Sequence, residues 1–219
     1  ATECSLACQT CERHLKSYRC PIDPNAKKGL EPGDLNRLFE RLTGSNSGTE
    51  GKSGEFARYG VKVLSRPSVI PDDERKSEEE LDYKVGPWVI SFDNFLTDEE
   101  SDHLVKMGFL MGYKRSLNTG PLRPDGSYGS SQDDTRTSEN AWCNQKECYN
   151  DTLVEKVVNR MAHVTSIPSE NQEYLQMLRY NVGQYYQRHH DYVIYHQQNQ
   201  VGPRVLTFFL YLNDVEKGV

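Results

Sequence analysis

From Glu173 to Val219 the chain reads EYLQMLRYNVGQYYQRHHDYVIYHQQNQVGPRVLTFFLYLNDVEKGV. Tyr174 to Asn181, Tyr185 to Ile194 and Arg204 to Asn213 are β-prone runs of strand length, and LTFFLYL in the last is apolar on both faces, as in a strand buried between layers. Two sheets folded as a jelly roll provide such layers, while periodicity alone leaves other β-sandwiches open. At the centre of the stretch stands His189-His190-Asp191. Side chains of an extended strand alternate faces, so His189 and Asp191 share one face and His190 takes the other. One imidazole and one carboxylate are thereby predicted to converge.

A neutral imidazole nitrogen and a carboxylate oxygen suit Fe(II). His-x-Asp is the sequence-local part of the two-His-one-carboxylate arrangement that holds this ion and leaves coordination positions open. A lone His-x-Asp is more often a solvated surface pair, so its setting decides. The line LQMLRYNVGQYYQRHHDY is followed after a polar loop by GPRVLTFFLYLNDVEKG and preceded by Arg136-Thr137-Ser138 and Ala141-Trp142. Together these closely resemble the catalytic domain of prolyl 4-hydroxylases, the Fe(II)- and 2-oxoglutarate-dependent dioxygenases, especially those of diatoms and related algae. The resemblance covers roughly Gly86 to Val219.

The resemblance implies an α+β fold whose core is a double-stranded β-helix, or jelly roll, with flanking helices. It implies hydroxylation of peptidyl proline to 4-hydroxyproline, coupled to decarboxylation of 2-oxoglutarate to succinate and CO2, with Fe(II), dioxygen and ascorbate. A proline-rich or collagen-like peptide is the implied substrate, since polyproline II chains lie readily in a groove. His189 and Asp191 become the metal ligands. Tyr180 matches a tyrosine that contacts 2-oxoglutarate, and Tyr186 one that contacts the peptide; the odd spacing from Tyr186 to His189 requires the chain to bend between them. Arg204 matches a peptide-binding arginine, Glu173 an acid near the groove, and Arg136 with Trp142 the segment flanking it. Ordinary packing or surface ion pairing is the alternative for each. The second His ligand and the basic residue that pairs with the distal carboxylate of 2-oxoglutarate are expected beyond Val219. The β-helix is therefore expected to be incomplete at the C-terminus of residues 1–219, and this stretch to be inactive by itself. His196, in the polar loop, is not a ready substitute. Two rival functions stand beside this one: a related dioxygenase acting on lysine or a small molecule, and a non-catalytic secreted Cys-rich interaction protein.

The rest of the chain is organised around this half. With 219 residues, net charge −6 and mean hydropathy −0.77, it offers one sizeable domain plus an appendage and no basic surface for nucleic acid. It has no run of 18 apolar residues, so no membrane segment is expected within this stretch, and any targeting segment is expected to lie outside it. Its six cysteines fall in even groups, Cys4, Cys8, Cys11 and Cys20, then Cys143 and Cys148. Local disulfides in the endoplasmic reticulum or Golgi lumen account for this, and the acceptor triplet Asn150-Asp151-Thr152 is usable there. A zinc knuckle is the alternative for the first four.

Residues 1–60 are read as a Cys-rich segment with one short amphipathic helix, Leu35, Leu38, Phe39 and Leu42 forming its stripe behind an Asp34 N-cap. The stretch GSNSGTEGKSG, Gly44 to Gly54, is a linker and not a phosphate loop, because Asn46 stands where a Walker A glycine is needed. Residues 61–84 connect through a VKVLS strand and an acidic run, and 85–219 form the catalytic part. Within it PWVISFDNF leads into a helix opened by Thr97-Asp98-Glu99-Glu100 and running to about Met111. A long polar loop, LNTGPLRPDGSYGSSQDD, is expected to be mobile or functional; the resemblance implies a lid over the peptide, with plain disorder as the alternative. A strand TRTSENAW and a second helix over Asp151 to about Ser166 follow, with His163 near the end of that helix as a cap or surface group.

Overall fold

The computed structural model describes residues 30, 31, 33–44, 55–67, 86–122, 128–193 and 203–216. The four early cysteines, the 45–54 linker, the acidic run and His196 lie outside the described residues. The chain divides into two compact units, Leu30–Thr97 with His163–Ser166, and Asp98–Ala162 with Ile167–Val219.

In the first unit, α1 spans Asp34–Thr43 and buries Leu38 and Leu42. Its N-cap is Gly33 at φ 87°, not Asp34 as expected; Asp34 is the first helical residue. The Asp34 carboxylate instead accepts the Glu31 N–H at 2.6 Å and pairs with Arg37, and these contacts hold its pKa below the usual value. Strands β1 (Val61–Ser65) and β2 (Val89–Phe92) pair antiparallel, Val61 opposite Phe92. Beside them Tyr59 and Phe95 are buried and pack with Phe92, with ring centroids 5.4 to 6.2 Å apart. Arg41 of α1 donates to the Val164 carbonyl at 2.8 Å and to Ser166 Oγ at 2.9 Å, the carbonyl lying in the last turn of a helix, where intrahelical donors run out.

In the second unit, α2 spans Asp98–Met111, as the sequence predicts, and β3 (Lys114–Arg115) follows it. A Cβ on Gly108 would lie 2.2 Å from the Tyr113 hydroxyl, so a larger residue there needs the Tyr113 side chain to move. The expected lid is a hairpin of β4 (Asn118–Leu122) and β5 (Tyr128–Ser131). Its strands approach so closely that a Cβ on Gly120 would sit 2.9 Å from the Gly129 carbonyl carbon. Glycine content that reads as loop composition here permits backbone contact.

Then come β6 (Glu139–Trp142), the short helix α3 (Lys146–Tyr149), α4 (Thr152–Thr165) and β7 (Gln176–Arg179). Strands β3, β6 and β7 form a three-stranded antiparallel sheet in that order, Glu139 opposite Arg179 and Trp142 opposite Gln176. Leu104, Met107, Ala141, Val154, Val157, Met161 and Met177 are its buried apolar residues, all at or below 8% exposure. Cys143 and Cys148, equally buried, are juxtaposed in disulfide geometry with Cα atoms 5.2 Å apart. Asp151 precedes α4 and accepts the Leu153 and Val154 N–H groups at 2.9 and 3.0 Å, an N-cap with the His103 ring 2.9 Å away on α2. Glu100, 1% exposed, receives both guanidinium branches of Arg160 and the Lys156 ammonium at 3.0 Å, tying α2 to α4.

The architecture is α+β, with three small antiparallel sheets among the described residues. Strands are expected over Tyr185 to Ile194 and Arg204 to Asn213; among the described residues, 185–193 and 204–213 form none. Both stretches are irregular, and an isolated bridge between Arg136 and Tyr186 is the β pairing they show. Val205, Phe209 and Tyr211 are 53%, 55% and 82% exposed, not buried between layers. Propensity alone does not make a ladder: a strand needs a neighbouring edge to bond.

Candidate active site

After β7 the chain reverses in a turn over Asn181–Gln184, with Gln184 N–H on the Asn181 carbonyl at 2.9 Å and Gly183 at φ 83°. It then runs back beside 135–137. Thr137 N–H donates to the Tyr185 carbonyl and Gln187 N–H to the Thr135 carbonyl, each at 2.8 Å. Beyond Gln187 the backbone bends. The bend carries His189 under the Tyr186 ring, centroids 3.6 Å apart and planes 21° from parallel. The Arg136 guanidinium covers the same ring at 4.5 Å. Arg136, Tyr186 and His189 thus form one stack, and Tyr186 joins the face from which its odd spacing in an ideal strand would exclude it.

His189 Nδ1 donates to the Gln187 carbonyl at 2.8 Å, so the neutral ring keeps its lone pair on Nε2. That nitrogen faces Asp191 Oδ1 at 3.1 Å. Two acceptors at this distance call for a proton or a cation between them. The other carboxylate oxygen of Asp191 accepts the Thr207 hydroxyl at 2.5 Å. Arg204 grips Glu173 with two hydrogen bonds, the longer 2.8 Å. The Glu173 bonds raise the Arg204 pKa above its ordinary value against the opposing effect of burial, and the charges of Glu173, Asp191 and Tyr186 add to the rise. Six sequence-predicted residues, Arg136, Glu173, Tyr186, His189, Asp191 and Arg204, are therefore linked by contact or by charge. His190 is exposed beside them.

Tyr180 and Trp142 are placed by the β6–β7 sheet. Trp142 closes β6 opposite Gln176, and Tyr180 follows β7 and is 44% exposed. Sequence reasoning missed Thr207, since a threonine in an apolar run carries no local signal for a carboxylate contact 16 residues away. It also missed Arg179, whose guanidinium pairs with Glu139 at 2.6 Å and lies over the Tyr113 ring at 4.6 Å. Burial raises the Tyr113 pKa, with the Arg179 charge opposing it. Arg136 Nε is buried and lacks an acceptor among the described residues.

For a metal, His189 and Asp191 fit as two ligands: a neutral nitrogen donor held by its second ring nitrogen, and a carboxylate oxygen held through its partner oxygen. No group of three His, Cys, Asp or Glu side chains able to hold a metal occurs among the described residues.

No family model matches the chain. It is 38% identical over 135 residues to probable prolyl 4-hydroxylase 8 of Arabidopsis thaliana, covering 60% of this chain and 43% of that protein. Prolyl 4-hydroxylase 2 of the same plant is 33% identical over 159 residues, covering 71% of this chain and 48% of that protein. In sequence the chain is prolyl 4-hydroxylase-like. Probable prolyl 4-hydroxylase 10 is 28% identical over 177 residues, 80% of this chain and 57% of the relative. The prolyl 4-hydroxylase-like sequence thus spans about half the length, or less, of the curated relatives it matches. Among the described residues no helix is long and apolar enough to cross a membrane.

Proposed function

We propose that this chain contributes the first two metal ligands and part of the peptide groove of a prolyl 4-hydroxylase. The observation that carries this is the His189–Asp191 pair, with imidazole Nε2 3.1 Å from Asp191 Oδ1 and Nδ1 on the Gln187 carbonyl. Within the longer protein the jelly roll closes and supplies the third ligand. An iron ion held there would supply, with dioxygen and with 2-oxoglutarate giving succinate and CO2, the oxidising power for hydroxylation of a peptidyl proline at C4, with ascorbate as its reductant.

The chain's own residues bind and orient. His189 presents Nε2 because Nδ1–H is committed to a carbonyl, and Thr207 holds one carboxylate oxygen so that the other faces inward. Tyr186, held against His189 and under the Arg136 guanidinium, keeps its place beside the ligand pair, where its ring edge and hydroxyl border the peptide groove. Arg204 lines the same groove with its charge balanced by Glu173, and Tyr180 contacts 2-oxoglutarate. The juxtaposed Cys143 and Cys148 support a bonded pair and a place in the lumen of the endoplasmic reticulum or Golgi.

The test is turnover by the whole protein whose coding frame contains this chain. Succinate release and hydroxyproline formation on proline-rich peptides are expected, with neither on lysine-containing peptides of equal length. Hydroxylysine as the main product would refute the assignment.

A further inference from the structure

We propose that Asn150 is an N-glycosylation site. The proposal rests on the lumenal placement argued above and adds to it a covalent modification, whose donor is a lipid-pyrophosphate-linked oligosaccharide. Asn150-Asp151-Thr152 is the one Asn-x-Ser/Thr triplet in the sequence. The fold sorts its three side chains by role. Asn150 caps the C-terminal end of α3, its backbone N–H on the Lys146 carbonyl at 3.1 Å. Its side chain is exposed and makes no hydrogen bond among the described residues. Asp151 is occupied: its carboxylate takes the Leu153 and Val154 N–H groups and faces His103. Thr152 is exposed again at the start of α4.

The acceptor amide and the hydroxyl residue therefore face solvent, while the acid between them is engaged with the helix it caps. A glycan on Asn150 displaces no packed group and breaks no bond of the fold. The site also follows Cys148 by two residues, so the cysteine pair that reports an oxidising compartment and the acceptor occupy one connection. In the transfer, Asn150 Nδ2 bonds to the anomeric carbon as the bond from that carbon to the pyrophosphate oxygen breaks. The amide loses one proton, and the lipid pyrophosphate leaves with the electron pair. No oxidant or reductant takes part.

The experiment is secretory expression of residues 1–219 in a eukaryotic host, followed by intact-mass measurement before and after peptide N-glycosidase and by peptide mapping. A glycan-sized mass increase is expected, removed by the enzyme without denaturation and leaving aspartate in place of Asn150. Asn150→Gln and Thr152→Ala should abolish the increase, and Thr152→Ser should retain it, which separates loss of the acceptor from loss of folding. A chain that is secreted with Cys143 bonded to Cys148 and bears no glycan on Asn150 overturns the proposal and leaves the hydroxylase assignment standing. A glycosylated chain whose whole protein hydroxylates no proline supports the site and refutes the assignment.

Discussion

His189 donates through Nδ1 to a carbonyl two residues back, and this single hydrogen bond leaves Nε2 as the ring nitrogen that faces Asp191. His190, one residue on, is exposed. We expect His189→Ala to abolish Fe(II) content in the whole protein and His190→Ala to keep most of it, by metal analysis of the purified variants. Equal loss in both would mean that the backbone bend does not separate their roles. Tyr186 makes the same point about local geometry. Three residues before His189, it belongs to the opposite face of an ideal strand, yet the bend after Gln187 lays its ring on the imidazole at 3.6 Å.

The two long helices of the second unit are joined by groups that titrate or pair. Burial would raise the Asp151 carboxyl pKa, but the Val154 N–H, the His103 contact and charge, and the Leu153 N–H together hold it below 3.8. A depressed carboxyl stabilises the fold fully above its unfolded value and loses that contribution as pH falls through the folded pKa. Asp151→Ala should therefore cost about 1 kcal/mol at neutral pH, the usual worth of an N-cap. The gap to the parent in urea midpoint should close as pH drops below 3.8; a gap unchanged in acid would refute the capping account. Glu100, 1% exposed, carries a harsher penalty because Arg160, 16% exposed, would be left buried without its partner. Glu100→Ala is expected to cost roughly 3–5 kcal/mol. Glu100→Leu combined with Arg160→Leu should recover most of it in denaturant melts, since the pair's desolvation cost is removed with the pair.

At the scale of the whole molecule, Cys143, after β6, and Cys148, within α3, stand juxtaposed across a short loop. Non-reducing mass mapping should find them joined. Replacing both with serine should lower stability by about 2 kcal/mol, the chain-entropy value for so short a loop, and a reductant should have the same effect on the parent. An unchanged melting temperature in the variant would show that the bond constrains nothing. What the sequence determined by itself was local or chemical in kind. The boundaries of α2 and α4 followed from caps and a 3.6-residue stripe; the His189–Asp191 pair was expected from strand alternation, and the two side chains meet although residues 185–193 form no strand. The resemblance named the residues around that pair. Only the tertiary structure decided the rest, because β pairing depends on which distant edge is available. It ordered the long polar stretch as two paired strands through the close approach of Gly120 to Gly129. It left Val205, Phe209 and Tyr211 exposed in a stretch whose composition reads as a buried strand. It brought Thr207 onto Asp191 across 16 residues, a contact that no periodicity encodes.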